Sequence, residues 1–162
     1  MKNTKIINIL KLVASIVVSQ CAGIVGSAFT TPAIPTWYAS LQKPPFTPPN
    51  WLFAPAWITL YLLMGIAAFL VWRVGLANHR VRTALVLFLV QLALNALWSV
   101  VFFGLQSPLY GVIVIIVLWL TILLTMLKFA RISAVAAWLL VPYILWVSFA
   151  SVLNISIWIL NP

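Results

Sequence analysis

Gln91, Asn95 and Ser99 stand four residues apart, so on a helix their amide and hydroxyl groups share one face. Trp98 and Phe102 adjoin that stripe, which mixes aromatic and amide groups. Two further faces have helical spacing: Trp57, Tyr61, Met64 and Ala68, and then Pro142, Trp146, Phe149 or Ala150, and Leu153. Inside a membrane such groups either bond one another across helices, at roughly 0.6–2 kcal/mol per contact, or line a pocket for a large, flat, apolar ligand with a few neutral polar contacts. Both readings stay open for Gln91 and Asn95. Trp57 and Trp146 lie well inside their spans, where an indole N–H needs an acceptor. Asn95, Ser148 and Asn154 are acceptors of the right kind.

The same sequence removes other chemistry. It holds 9 Lys plus Arg, no Asp or Glu and 1 His. Paired-acid hydrolysis, carboxylate-held calcium or magnesium, acid-assisted triads and Asp/Glu proton relays therefore have no side chains to use. One His cannot build a zinc site with a second, so no metal site is expected. Cys21 is the one cysteine and excludes an intrachain disulfide. A net charge of +9 would suggest nucleic acid in a soluble protein, but here the cations sit between apolar runs and read as topological, so no nucleic-acid partner is expected.

The elements that must carry these faces are membrane helices. Of 162 residues, 65% are hydrophobic and 6% charged, and mean hydropathy is +1.21. Apolar runs long enough to cross about 30 Å of hydrocarbon predict an all-α bundle of five transmembrane helices near 6–28, 51–72, 83–104, 109–128 and 134–159, in one domain over 1–162. Ser107-Pro108 after Gly104 splits the uncharged stretch from Thr83 to Leu127 into two spans. The amino-terminal run resembles a secretory signal with the tetrapeptide VSQC, but Gln20 stands where a small residue is needed, and the run continues to about Phe29. A retained membrane helix is expected.

Lys2, Lys5, Lys11, Arg73, Arg80, Arg82, Lys128 and Arg131 fall on one side of these spans, and Lys43 alone on the other. That asymmetry predicts a cytoplasmic amino terminus and an external carboxyl terminus. His79 belongs to the same cytoplasmic loop. The segment 29–50 carries most of the prolines and is expected to be a stiff, non-helical lid whose Phe29, Trp37, Tyr38 and Phe46 pack on the outer helix ends. Ser15, Ser19, Gly23 and Gly26 form a small-residue stripe suited to close helix approach or to a dimer contact. The fourth span, with its run VIVIIVLWLTILLTML, reads as a wall facing lipid or a second subunit.

The segments WYASLQKPPFTPPNWLFAPAW (37–57), LYLLMGIA (60–67), LNALWSVVFFGLQSP (94–108) and WLLVPYILWVSFASVLN (138–154) resemble the translocator protein family, TspO, also called the peripheral-type benzodiazepine receptor family. The resemblance runs over nearly the whole chain. It implies a five-helix bundle, usually dimeric, binding tetrapyrroles such as protoporphyrin IX and haem, and in animals cholesterol and isoquinoline or benzodiazepine drugs. Carried over position by position, the ligand-lining residues are Trp37, Tyr38, Pro49, Trp57, Tyr61, Asn95, Trp98, Trp146, Ala150 and Leu153. In some bacterial members the tryptophans matching Trp57 and Trp146 support light- and oxygen-dependent porphyrin breakdown, which makes them the candidate catalytic pair.

No cofactor is required by this reading; porphyrin or haem enters as ligand. With no His in the pocket, axial haem ligation falls to Cys21 or Met64, so metal-free porphyrin or weakly held haem is expected, with Lys43 a propionate contact at the mouth. The animal sterol motif is missing: the tail SVLNISIWILNP has Ile155 and Ile157 and no basic residue. Sterol recognition there is not expected, and the short basic amino terminus points to a bacterial cell membrane. Three functions remain open: a tetrapyrrole-binding sensor or translocator, a porphyrin photo-oxidising enzyme, and a membrane assembly partner without a small ligand.

Overall fold

The computed structural model describes residues 2–162. Among them there is no strand, and the helices are α1 (Lys2–Ala33), α2 (Trp37–Ser40), α3 (Phe53–Trp72), α4 (His79–Ser99), α5 (Pro108–Ala130), α6 (Ala134–Leu139) and α7 (Val141–Leu160). A 3₁₀ turn, Asn50–Leu52, leads into α3, and a π turn, Val100–Gly104, extends α4. Five runs are long and apolar enough to cross a bilayer: Thr4–Ala33, Asn50–Trp72, His79–Gly104, Pro108–Ala130 and Ala134–Leu160. The chain is an all-α integral membrane bundle.

Local chemistry sets the ends of these helices. Asn78 caps α4 by accepting from the Arg80 amide at 2.9 Å, and Ser107 and Ser133 cap α5 and α6 in the same way. Gly75, at φ 115°, turns the chain out of α3 in a conformation that other residues resist. Pro142 lacks an N–H and cannot continue a helix through its own first turn, so the fifth span is broken at Leu140 into α6 and α7.

The lid differs from its expected form. α1 runs through Pro32 to Ala33, because a proline in the last turn sacrifices only one intrahelical bond, and Trp37–Ser40 coils into a further turn. The non-helical cover is therefore 41–49 with the Ile34–Thr36 link, shorter than 29–50. Asn161, beyond the end of α7, clasps it: its side chain accepts from the Gln42 amide and donates to the Gln42 carbonyl, both at 2.9 Å.

Around the bundle, α1 lies between α3 and α4, α4 packs on α5, α5 on α6 and α7, and α6 closes back on α3. The core is sealed at the α6 end by Ala67, Val71, Val81, Phe129, Ala136 and Leu140, each at most 1% exposed. The small-residue stripe of α1 is turned inward. Ser15 and Ser19 are buried, and a Cβ on Gly65 of α3 would stand 2.6 Å from the Ile16 Cα, so the two backbones nearly touch. The stripe is thus used within one protomer, which removes the dimer-contact reading for that face.

The fourth span is more than a wall. One face of α5 presents Ile113, Ile116, Leu120 and Leu124 outward, while Ile115, Leu118, Ile122 and Thr125 are buried against its neighbours. Trp119 also donates to the Ser148 hydroxyl at 2.8 Å.

Candidate ligand cavity

A cavity of about 380 Å³ occupies the end of the bundle beneath the cover. That lies within the roughly 300–1,000 Å³ usual for small-ligand sites. α3 contributes Trp57 and Tyr61, α4 contributes Asn95 and Trp98, α7 contributes Trp146, Ala150 and Leu153, and the cover contributes Tyr38. Faces matched only by spacing in the sequence are therefore brought to one space. Among the described residues no charged side chain lines it.

Trp37 and Pro49 do not reach the cavity wall. Trp37 packs edge-on against Phe102 and Phe103, at centroid separations of 5.4 and 6.5 Å, and so supports the roof from behind. Pro49 precedes the 3₁₀ turn that starts the α3 span. Lys43 is also outside the lining: its ammonium donates to the carbonyls of Ala39 and Leu41 at 3.3 and 3.2 Å and lies 4.8 Å from the Tyr38 ring centre. The cation is held by its own loop, and the sequence has no Asp or Glu side chain to pair with it. Burial pushes the Tyr38 phenol above its ordinary pKa, so that hydroxyl stays protonated.

The floor is a chain of hydrogen bonds. Tyr61 donates to Asn95 Oδ1, Asn95 donates to the Tyr143 hydroxyl at 3.0 Å, and Tyr143 donates to Gln91 Oε1 at 2.8 Å. Gln91, Asn95 and Tyr143 are at most 3% exposed, so each polar group has a partner where water cannot supply one. Tyr143 is one residue that reasoning from the sequence missed. A signal was present, since Tyr143, Trp146 and Ala150 share a helix face, and a phenol in mid-membrane needs a partner. Gln91 and Asn95 thus serve the structural role, while Asn95 also faces the cavity.

The acceptors expected for the deep indoles are taken by others. Asn154 accepts from Trp98 at 3.0 Å, Ser148 accepts from Trp119, and Asn95 accepts from Tyr61. Trp57 and Trp146 consequently have no hydrogen-bond partner among the described residues. They are held by ring contacts: Trp57 stacks on Tyr61 at 5.5 Å, and Trp146 meets Phe53 at 6.1 Å and Phe149 at 5.9 Å.

The π turn shapes the roof. The consecutive residues Phe102 and Phe103 on it both turn inward, at 2% and 9% exposed. Trp98 stacks on Phe102 at 5.2 Å. α1 also lines the cavity, through Gln20, Gly23, Ile24 and Ser27. Of these, the sequence singled out only Gly23, as part of the small-residue stripe, and Gln20, beside Cys21.

Neither Cys21 nor Met64 lines the cavity, nor does His79. Cys21 is exposed on α1, and Met64 is wholly buried beside Gln91. Among the described residues no cluster of His, Cys, Asp or Glu could hold a metal ion.

A five-helix membrane bundle enclosing an uncharged, indole-rich cavity under a proline-rich cover defines a class: an integral membrane protein built around a small-molecule-sized pocket. The particular family follows from comparison with known proteins. The model of the TspO/MBR family matches residues 15–159, and the chain belongs to that family. It is 50% identical to the tryptophan-rich protein TspO of Archaeoglobus fulgidus, over 95% of this chain and 99% of that one. It is 48% identical to the tryptophan-rich protein TspO of Chlorobaculum tepidum, over 95% and 98%. Likeness extends to the translocator protein of Homo sapiens, 36% identical over 83% of this chain and 80% of that one.

Proposed function

We propose that this protein is a membrane receptor or translocator that binds a tetrapyrrole, protoporphyrin IX or weakly held haem, in the cavity beneath the cover. The observation that carries the reading is the convergence of Trp57, Tyr61, Trp98 and Trp146 on one uncharged space. Ring faces suit a flat π-system, and the missing charges suit a ligand whose bulk is apolar. Among the described residues the lining has no His, Cys or Met, and the Tyr61 hydroxyl is engaged in donating to Asn95, which favours the metal-free macrocycle. Lys43, one ring behind Tyr38, supplies the positive charge nearest that part of the wall for a propionate, although the cation itself does not line the space. The same pocket chemistry accepts other flat apolar molecules of isoquinoline or benzodiazepine type.

A second reading rests on the two partnerless indoles. Trp57 and Trp146 beside a bound porphyrin are electron donors, and with light and oxygen the ligand would be degraded rather than kept. One titration separates the readings: protoporphyrin IX against purified protein, followed by tryptophan-fluorescence quenching, first in darkness and then illuminated in air. Saturable quenching with an unchanged porphyrin spectrum in light supports a receptor or carrier. Light-dependent loss of the porphyrin band, abolished in Trp57→Phe/Trp146→Phe, supports the enzyme. Absence of saturable quenching sinks both and leaves the assembly-partner reading.

Any movement of ligand across the bilayer would be facilitated or driven by a partner, because the chain has no carboxylate for proton coupling. We further propose a cell-membrane location with α1 starting in the cytoplasm and the cover outside, on the cation asymmetry, and a homodimer whose contact avoids the buried α1 stripe.

A further inference from the structure

We propose that the cavity is loaded sideways from within the bilayer, through a mouth between α1 and α3, so that its ligand is an amphipathic, flat molecule already dissolved in the hydrocarbon. The inference rests on the cavity reading above for its ligand, but not for its geometry.

Exposure around the cavity is one-sided. Ile24 is 66% exposed and Ile58 60%, and the other exposed lining residues, Ser27, Thr31, Asn50 and Ala54, lie on the same two neighbouring segments. Every lining residue from α4, the π turn and α7 is buried or half-buried. The wall is therefore closed on those sides and open where α1 faces the start of α3.

α1 and α3 stay in contact as far as Gly23, where a Cβ would stand 2.5 Å from the Tyr61 ring, and the exposed lining on α1 begins beyond it at Ile24. The two helices nearly touch at Gly65 and Ile16, and the Gln20 side chain bridges them by donating to the Ile58 carbonyl at 3.1 Å. Beyond that bridge, toward the cover, the gap holds the mouth. Ile58 is eight residues below Asn50, the start of its span, so the lower edge of the mouth lies about 12 Å in at 1.5 Å per residue. That depth is hydrocarbon rather than water.

The route through the cover is shut. Tyr38 is 4% exposed, Phe102 and Phe103 meet edge-to-face at 4.8 Å behind it, and the Asn161 clasp ties the loop down at Gln42. A ligand from water would have to break that clasp and part the rings. One arriving through the lipid needs only to pass the Ile24 and Ile58 side chains.

The test compares rates in lipid vesicles. Protoporphyrin IX is supplied preloaded in donor vesicles, and quenching is followed in the wild type, in Ile24→Phe/Ile58→Phe, which narrows the mouth, in Ile24→Ala/Ile58→Ala, which widens it, and in Asn161→Ala, which frees the cover. Association and dissociation should both slow at least tenfold in the narrowed variant and quicken in the widened one, with Asn161→Ala within twofold of wild type. Mouth variants at the wild-type rate, or Asn161→Ala alone accelerating uptake, would overturn the proposal.

A second arm needs no porphyrin. The emission lost on Trp57→Phe reports a cavity indole, and in vesicles of lipid brominated along its acyl chains that emission should be quenched, less so when the mouth is narrowed. No quenching by brominated chains overturns the lateral mouth. Failure of porphyrin to bind while this quenching persists counts against the tetrapyrrole reading and leaves the mouth standing.

Discussion

Tyr143 joins Asn95 to Gln91 in the floor of the cavity, and its hydroxyl is both acceptor and donor there. Tyr143→Phe removes both bonds and leaves two buried amide groups short of a partner. Interhelical bonds of this kind are worth about 1 kcal/mol in membranes, and stability in mild detergent, followed by denaturant titration, should fall by about that much. Tyr61→Phe should cost a similar amount, and the double variant less than the sum, because both phenols act through Asn95. The indoles should behave differently. Trp57 and Trp146 hold no hydrogen bond, so Trp57→Phe and Trp146→Phe should each leave stability within about 1 kcal/mol while weakening porphyrin quenching.

At the scale of the elements, α1 and α3 are locked by a close backbone approach at Ile16 and Gly65, together with the Tyr61 ring seated against Gly23. Gly65→Ala places a methyl 2.6 Å from the Ile16 Cα, where the obstacle is backbone and cannot rotate away. The helices must part, and overpacking of this kind costs about 1–3 kcal/mol; a lowered melting temperature with weaker porphyrin binding is the expected outcome. The cover is held by a smaller device. Asn161→Ala deletes both bonds to Gln42, so amide hydrogen exchange in 41–49 should rise while exchange in α4 and α5 stays unchanged.

For the whole molecule, the eight-to-one cation asymmetry makes orientation measurable. In a Cys21→Ser background, a membrane-impermeant maleimide added to intact cells should label Lys43→Cys, and should label Arg80→Cys only after lysis. The reverse pattern would overturn the proposed orientation and place the cover in the cytoplasm. Five spans were legible because hydropathy and length are properties of the chain taken one segment at a time. The break at Leu140 was legible in principle too, since Pro142 cannot continue a helix. The extension of α1 to Ala33 was not, because a proline in a last turn costs little, and composition alone cannot tell that turn from a loop.

Residue spacing alone determined that Trp57 and Tyr61, Gln91 and Asn95, and Trp146 and Ala150 share faces, since helical geometry is local. Composition alone determined that the chain lies in a membrane and has no carboxylate chemistry. Only the tertiary structure decided which faces meet: that Asn95 turns to Tyr61 and Tyr143 rather than to an indole, that Lys43 is tied to its own loop, that Trp37 stands behind the roof, and that the cavity opens between α1 and α3. The reason is physical. In lipid the outer surface of a helix can be as apolar as its inner one, so hydropathy does not reveal its rotation about its own axis. Close approaches such as Gly65 on Ile16, and hydrogen bonds between residues 34 to 56 positions apart, set that rotation, and both exist only once the helices are assembled.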